Sequence, residues 1–195
     1  MGLWIKDRSP ASLLNGIYGL GKPREYGFPS LEAMTLSEVE IMQKARELYP
    51  YIPEVINYDR ETQQLTMTKI EGEHIDVYIK RTKDLSIIDN LKDVVKQLRS
   101  REISLNHRYE NYYKPDEISF DDRQYRKGYI VYHDYHAANF IVDRDRNIWL
   151  IDWDTAGVYP EEKLSDDDFW IDDFCEELGY LLNPPVLYTK NDLGE

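Results

Sequence analysis

The stretch from residue 128 to residue 157 restricts the fold more than any other part of the chain. Gly128–Val131, Phe140–Val142 and Ile148–Ile151 are apolar runs too short for helices, and they read as strands. The loop after the first run carries Asp134 and, five residues on, Asn139. A turn at Asp143-Arg144-Asp145-Arg146 joins the second run to the third, and Asp152 follows directly. A hairpin of this kind brings its open ends together, so Asn139 and Asp152 are expected side by side. A carboxylate in a tight loop can accept a proton. An amide oxygen and a second carboxylate are hard donors suited to Mg²⁺. Taken singly, each of these residues could equally be a turn-stabilising side chain. Their spacing between three apolar strands points to chemistry.

The flanking segments supply a mixed pattern. The first 30 residues, with Gly16, Gly19, Gly21, Gly27, Pro10, Pro23 and Pro29, read as short strands and turns. Thr35 and Glu38 stand at capping-box spacing, and Leu36, Val39, Met42, Ala45 and Leu48 continue as a helix that stops before Pro50. Val55–Tyr58 and Gln64–Ile70 form a hairpin across Asp59-Arg60-Glu61-Thr62. Glu71-Gly72-Glu73 breaks the pattern and marks a boundary between two lobes. A second helix is predicted over Ser86–Arg99, with Ile87, Leu91, Val94, Val95 and Leu98 on one face. Residues 101–127 have no period. The last helix, about Asp166 to Leu182, stops at Asn183-Pro184-Pro185 and is expected to bury Trp170, Phe174, Leu178 and Leu181.

Composition limits the function classes. The chain has 195 residues, enough for one core or for two small lobes around a cleft. A net charge of −13 repels a polyanion, so nucleic acid is not an expected partner, whereas a cationic co-substrate is favoured. Residues 161–177 hold nine acidic side chains against Lys163, either as a solvated face or as a lure for cations. The lone Cys175 permits no internal disulfide and suits a reducing, cytoplasmic setting. It is read as helix packing. The opening MGLWIKDRSP lacks a secretory apolar core, and no apolar run reaches bilayer length, so no membrane partner is expected. His133 and His136 have no further ligands in range, which argues against zinc.

The motifs Tyr132-His133-Asp134-Tyr135-His136-Ala137-Ala138-Asn139-Phe140-Ile141-Val142-Asp143 and Leu150-Ile151-Asp152-Trp153-Asp154-Thr155-Ala156-Gly157 resemble the aminoglycoside-phosphotransferase-like branch of the protein-kinase-like family. Val158-Tyr159-Pro160-Glu161-Glu162 resembles its fungal type. The resemblance implies a two-lobed α+β kinase-like fold, with a reduced N-lobe sheet over residues 1–70 and a mostly helical C-lobe over 71–195. It implies transfer of the γ-phosphoryl group of ATP, or of GTP, to a hydroxyl of a small molecule. Asp134 would be the catalytic base, and Asn139 and Asp152 the magnesium ligands. One position departs from the pattern: Tyr132 stands where the family has the His that organises the loop.

Upstream, Glu38-Val39-Glu40-Ile41-Met42 resembles the N-lobe helix, and Leu65 to Gly72 the last N-lobe strand and hinge. Met67, Lys69 and Glu71 would thereby lie around the nucleotide. Glu38 would pair with a phosphate-binding lysine, unless it serves only as the capping box. Lys22, sixteen residues before Glu38, is the candidate lysine by separation; Lys6 and no functional lysine are the alternatives. Gly16-x-x-Gly19-x-Gly21 could be the remnant of a phosphate loop, but not together with Lys22 as the strand lysine. By analogy with the family, Asp166, Asp167, Asp168, Asp172 and Glu176 would hold a cationic acceptor. Two other readings remain at this point, a pseudokinase acting as a binding module and a compact protein kinase.

Overall fold

Alternation along Leu3–Asp7 places Leu3 and Ile5 outward and Trp4 and Lys6 inward in the computed structural model of the chain, which describes residues 2–7, 31–105 and 127–182. This strand, β1 (Leu3–Asp7), pairs antiparallel with β3 (Gln64–Thr68), which pairs in turn with β2 (Val55–Asp59). The register sets Trp4 opposite Met67 and Lys6 opposite Leu65. Leu65 and Met67 are buried on the inner face. The β2–β3 hairpin is where sequence patterning puts it, with a bulge between Val55 and Asn57.

Helix α1 (Leu31–Leu48) buries Ile41, Met42 and Ala45, in the same apolar core as Leu65 and Met67. The capping-box assignment of Thr35 and Glu38 is corrected here. With the helix already running at Leu31, both residues lie in its interior, and both are buried. Their spacing reflects one inward face of the helix, not its start.

Two further sheets follow. β4 (Glu73–His74), β7 (Phe140–Val142) and β8 (Ile148–Leu150) form one, in the order β4-β7-β8. β5 (Ile103–Ser104), β6 (Lys127–Val131) and β9 (Gly157–Tyr159) form the other, with β6 central. All the pairings are antiparallel, so the described fold is mixed α+β built on small antiparallel sheets. The predicted β7–β8 hairpin is present, with Phe140 opposite Leu150. Gly72 lets the chain graze β7, since a Cβ there would stand 2.5 Å from the Val142 carbonyl oxygen.

Three more helices complete the described fold. α2 (Ile75–Thr82) escaped sequence patterning: it has eight residues, and Ile75, Tyr78 and Ile79 alone face inward. Lys83 closes it in the left-handed conformation, donating to the Ile79 carbonyl at 2.8 Å. α3 (Ser86–Leu98) buries the predicted Ile87, Leu91, Val94, Val95 and Leu98. α4 (Leu164–Tyr180) differs from expectation in its inward face. Trp170 is 49 % exposed, and Ile171, Phe174, Cys175 and Leu178 form the stripe. The 3.6-residue period accommodates Ile171 with Phe174, Cys175 and Leu178, and leaves bulky Trp170 outside. Leu181 lies just past the helix and is half-buried. No helix among the described residues is long and apolar enough to cross a membrane.

The end of α1 is tied to the second sheet by polar bonds. The Tyr49 hydroxyl donates to the Ile148 carbonyl at 2.6 Å, the Leu150 amide donates to the Tyr51 carbonyl at 3.2 Å, and Tyr51 stands edge-to-face with Trp149. Tyr49→Phe leaves a buried carbonyl without that donor and is expected to lower unfolding stability by about 1–3 kcal/mol. Urea denaturation with an unchanged m-value checks this. Burial pushes the Cys175 thiol up to about 11. Folded protein at pH 8 should therefore react with a thiol reagent far more slowly than unfolded protein, because little thiolate forms and access is blocked. Equal rates with and without denaturant would contradict the packing of α4.

Candidate active site

A lysine among carboxylates organises the site. Lys6 reaches inward from β1 with its side chain 2 % exposed, and its ammonium donates to Glu38 of α1 at 3.1 Å. The same nitrogen donates to Asp152 and, at 3.4 Å, to Asp154, in the turn between β8 and β9. Glu38 is buried as deeply as Lys6, Asp154 is nearly so, and the Asp152 side chain is 38 % exposed. A charged lysine so far from water is tolerated only with opposite charges at contact distance. Oδ1 of Asp152 is the oxygen held by Lys6, and Oδ2 accepts no hydrogen bond from the described residues.

The second half of the site is the loop between β6 and β7. Tight backbone bonds coil it: Asp134 N to Tyr132 O at 3.0 Å, Tyr135 N to His133 O at 3.0 Å, and His136 N to Asp134 O at 2.9 Å. His133 sits in the left-handed region with φ 67°, which lets a non-glycine residue turn the chain this sharply. A single 3₁₀ turn (Ala137–Asn139) then leads into β7, capped by His136 Nδ1 accepting from the Ala138 amide at 3.2 Å. The Asn139 amide group donates to Asp134 Oδ2 at 2.6 Å and to the Asp134 carbonyl at 3.3 Å. Asp134 Oδ1 and Asn139 Oδ1 make no hydrogen bond with the described residues.

Backbone contact joins the two halves. The Ile151 amide donates to the Asn139 carbonyl at 3.0 Å, so the residue before Asp152 is bonded to Asn139 itself. The Tyr132 hydroxyl donates to the Ile151 carbonyl from within a ring cluster of Trp153, Phe140 and Tyr135. Asp152 is also left-handed, with φ 60°. Burial first, and then the carboxylates of Asp152, Asp134 and Asp154, hold the Tyr132 phenol well above its ordinary pKa, so it stays a hydrogen-bond donor.

Three of the sequence candidates, Asp134, Asn139 and Asp152, are therefore brought together, and Glu38 joins them through Lys6. The lysine bonded to Glu38 is Lys6; Lys22 lies outside the described residues. Asp154 was not singled out in the sequence, although its place two residues after Asp152 put it in the same turn. Met67 is buried opposite Trp4 and Val55. Lys69 is exposed, with its amide donating to the Gly2 carbonyl at 3.0 Å, and Glu71 is exposed ahead of β4. On α4, Asp168 accepts from Arg99, Asp172 accepts from Lys92 at 2.7 Å, and Glu176 accepts from the Tyr180 hydroxyl. The first two contacts tie α4 to α3 and its C-cap, and none involves Asp134, Asn139 or Asp152. The helix backbone includes Asp166 and Asp167, whose side chains lie outside the described part.

Set against known proteins, the chain matches no family model and no curated protein sequence.

Proposed function

We propose that the chain is a kinase-like phosphotransferase that moves the γ-phosphoryl group of ATP to a hydroxyl of a small molecule. The observation that carries this reading is the buried Lys6–Glu38 pair bonded to Asp152, beside the loop that holds Asp134. Phosphoryl transfer asks a protein mainly for positioning and charge. Lys6, held by Glu38, supplies a fixed ammonium for the phosphates. Asp134 Oδ1 is the atom that accepts the acceptor's hydroxyl proton, while Asn139 fixes the other carboxylate oxygen. Residues up to about Ile70 serve as the nucleotide-binding lobe and the remainder as the catalytic lobe.

Asn139 Oδ1 and Asp152 Oδ2 fit a magnesium ion as hard oxygen donors without competing bonds to the described residues. The ion would supply charge neutralisation to the phosphates. No group of three or more His, Cys, Asp or Glu set for a metal occurs among the described residues. A cationic acceptor is supported by charge alone, through the net −13 and the carboxylates of α4.

ATP with Mg²⁺ is expected to raise the melting temperature, and ATP with a chelator to leave it unchanged. Asp152→Ala should abolish the shift; a full response in this variant would refute the metal assignment. With an acceptor in hand, Asp134→Asn should lower kcat by roughly 10²- to 10⁴-fold at nearly constant nucleotide affinity, the scale of a lost general base. Retention of most of the rate would place the base elsewhere. Nucleotide binding with no turnover on any acceptor would favour a binding module.

A further inference from the structure

We infer that the outward face of α4, built on Phe169, Trp170, Asp173 and Glu177, docks an arginine-bearing segment of another protein. Phosphate transfer is not needed for this binding.

The carboxylates of α4 fall into two sets. Toward α3 and its C-cap, Asp172 accepts from Lys92 at 2.7 Å and Asp168 accepts from Arg99, so these two hold the helix to its neighbour. Asp173 and Glu177 are exposed and make no ion pair with the described residues. They stand four residues apart, which on a helix sets their Cβ atoms about 5–6 Å from one another and makes the like charges unfavourable. Leu164–Tyr180 contains no lysine or arginine to relieve this. A cation from outside the chain would.

The same surface carries apolar rings that the core does not use. Phe169 is 64 % exposed and Trp170 49 %, and the two stand edge-to-face at 5.5 Å. Asp173 lies four residues after Phe169 and three after Trp170, so rings and unpaired acids share one strip of the helix. Rings beside carboxylates select arginine over lysine, because a planar guanidinium stacks on a ring and bonds a carboxylate in its own plane. A second copy of the chain is excluded as the occupant: the net charge is −13, and α4 against α4 sets acid on acid. A small cation fits poorly as well. Such ligands are held in concavities that cover most of their surface, whereas this is one convex helix face with both rings open. A protein segment spanning two turns meets the rings and both acids at once, and Trp and Arg are the residues that dominate such contacts. On the inward face of α4, Phe174 lies 5.3 Å from Phe140 and 6.3 Å from Tyr135, so the docked segment is one helix away from the loop of Asp134.

The test titrates the full chain into a fluorescein-labelled peptide of alternating arginine and serine, and into its lysine-serine counterpart, near physiological ionic strength, with anisotropy as the readout. The arginine peptide should bind, at least about fivefold tighter than the lysine peptide. Trp170→Gln should weaken it by about five- to tenfold, and Asp173→Asn with Glu177→Gln by about tenfold or more with a flatter salt dependence. Glu54→Gln with Glu61→Gln removes the same charge from exposed positions of the β2–β3 region and should leave the affinity within about twofold. The melting temperature of the Asp173/Glu177 double variant should equal or exceed that of the wild type, since a repulsion is removed. Absence of binding, equal affinity for the lysine peptide, or an equal loss in the Glu54/Glu61 variant overturns the inference. So does displacement of the peptide by spermidine at the same concentration, which would assign the face to a small cation. A lower melting temperature in the Asp173/Glu177 variant overturns it too, because the two carboxylates then serve the fold.

Discussion

The ammonium of Lys6 is the point on which the described fold turns. It meets Glu38, Asp152 and Asp154, which lie 32, 146 and 148 residues away in the chain. Transfer of a lysine from water to a dry interior is strongly unfavourable, and contact with carboxylates offsets this only when the geometry is good. The arrangement is therefore sensitive to loss of a partner more than it is a source of net stability. Removing Lys6 takes the positive charge away from two buried carboxylates, Glu38 and Asp154, at a cost of about 3–5 kcal/mol. The contacts of this one ammonium join β1, α1 and the turn after β8.

Around that point the polypeptide uses unusual backbone in two places, His133 and Asp152, both left-handed without being glycine. Each lies where a strand has just ended and a polar side chain has to be redirected. Asx-type bonding makes the neighbouring β7–β8 turn, where Asp143 accepts from Trp149 Nε1 at 2.9 Å and from the Asn147 side chain at 3.1 Å. Partial burial works against the charged form of Asp143, but these hydrogen bonds outweigh it and hold the carboxyl below its usual range. The turn is rigid, so β8 delivers Asp152 to a fixed place.

Most of this local framework was legible in the sequence, for a physical reason. Apolar runs of three to five residues bounded by Asp, Asn and Gly specify β6, β7 and β8, and their order brings Asp134, Asn139 and Asp152 to one end. Ile87 to Leu98 specify α3 by period alone. Lys6 was hard to read as the partner of Glu38 because its strand inverts the usual pattern. Leu3 and Ile5 face outward at 59 % and 51 % exposure while the charged residue faces in. Alternation identifies such a strand but assigns its faces the wrong way round. Thr35 and Glu38 misled because capping-box spacing equals the spacing of an inward helical face. α2 was invisible because eight residues give too few turns for a period to emerge.

The separation of 146 residues from Lys6 to Asp152 has a consequence for the order of events during synthesis. At about 5–20 residues per second, roughly 7 to 30 seconds separate the appearance of the lysine from that of its last partners. β2 and β3 emerge within that interval, so the β1-β3-β2 sheet can assemble while the ammonium is still hydrated. The charge cluster can close only after Asp152 and Asp154 have been made.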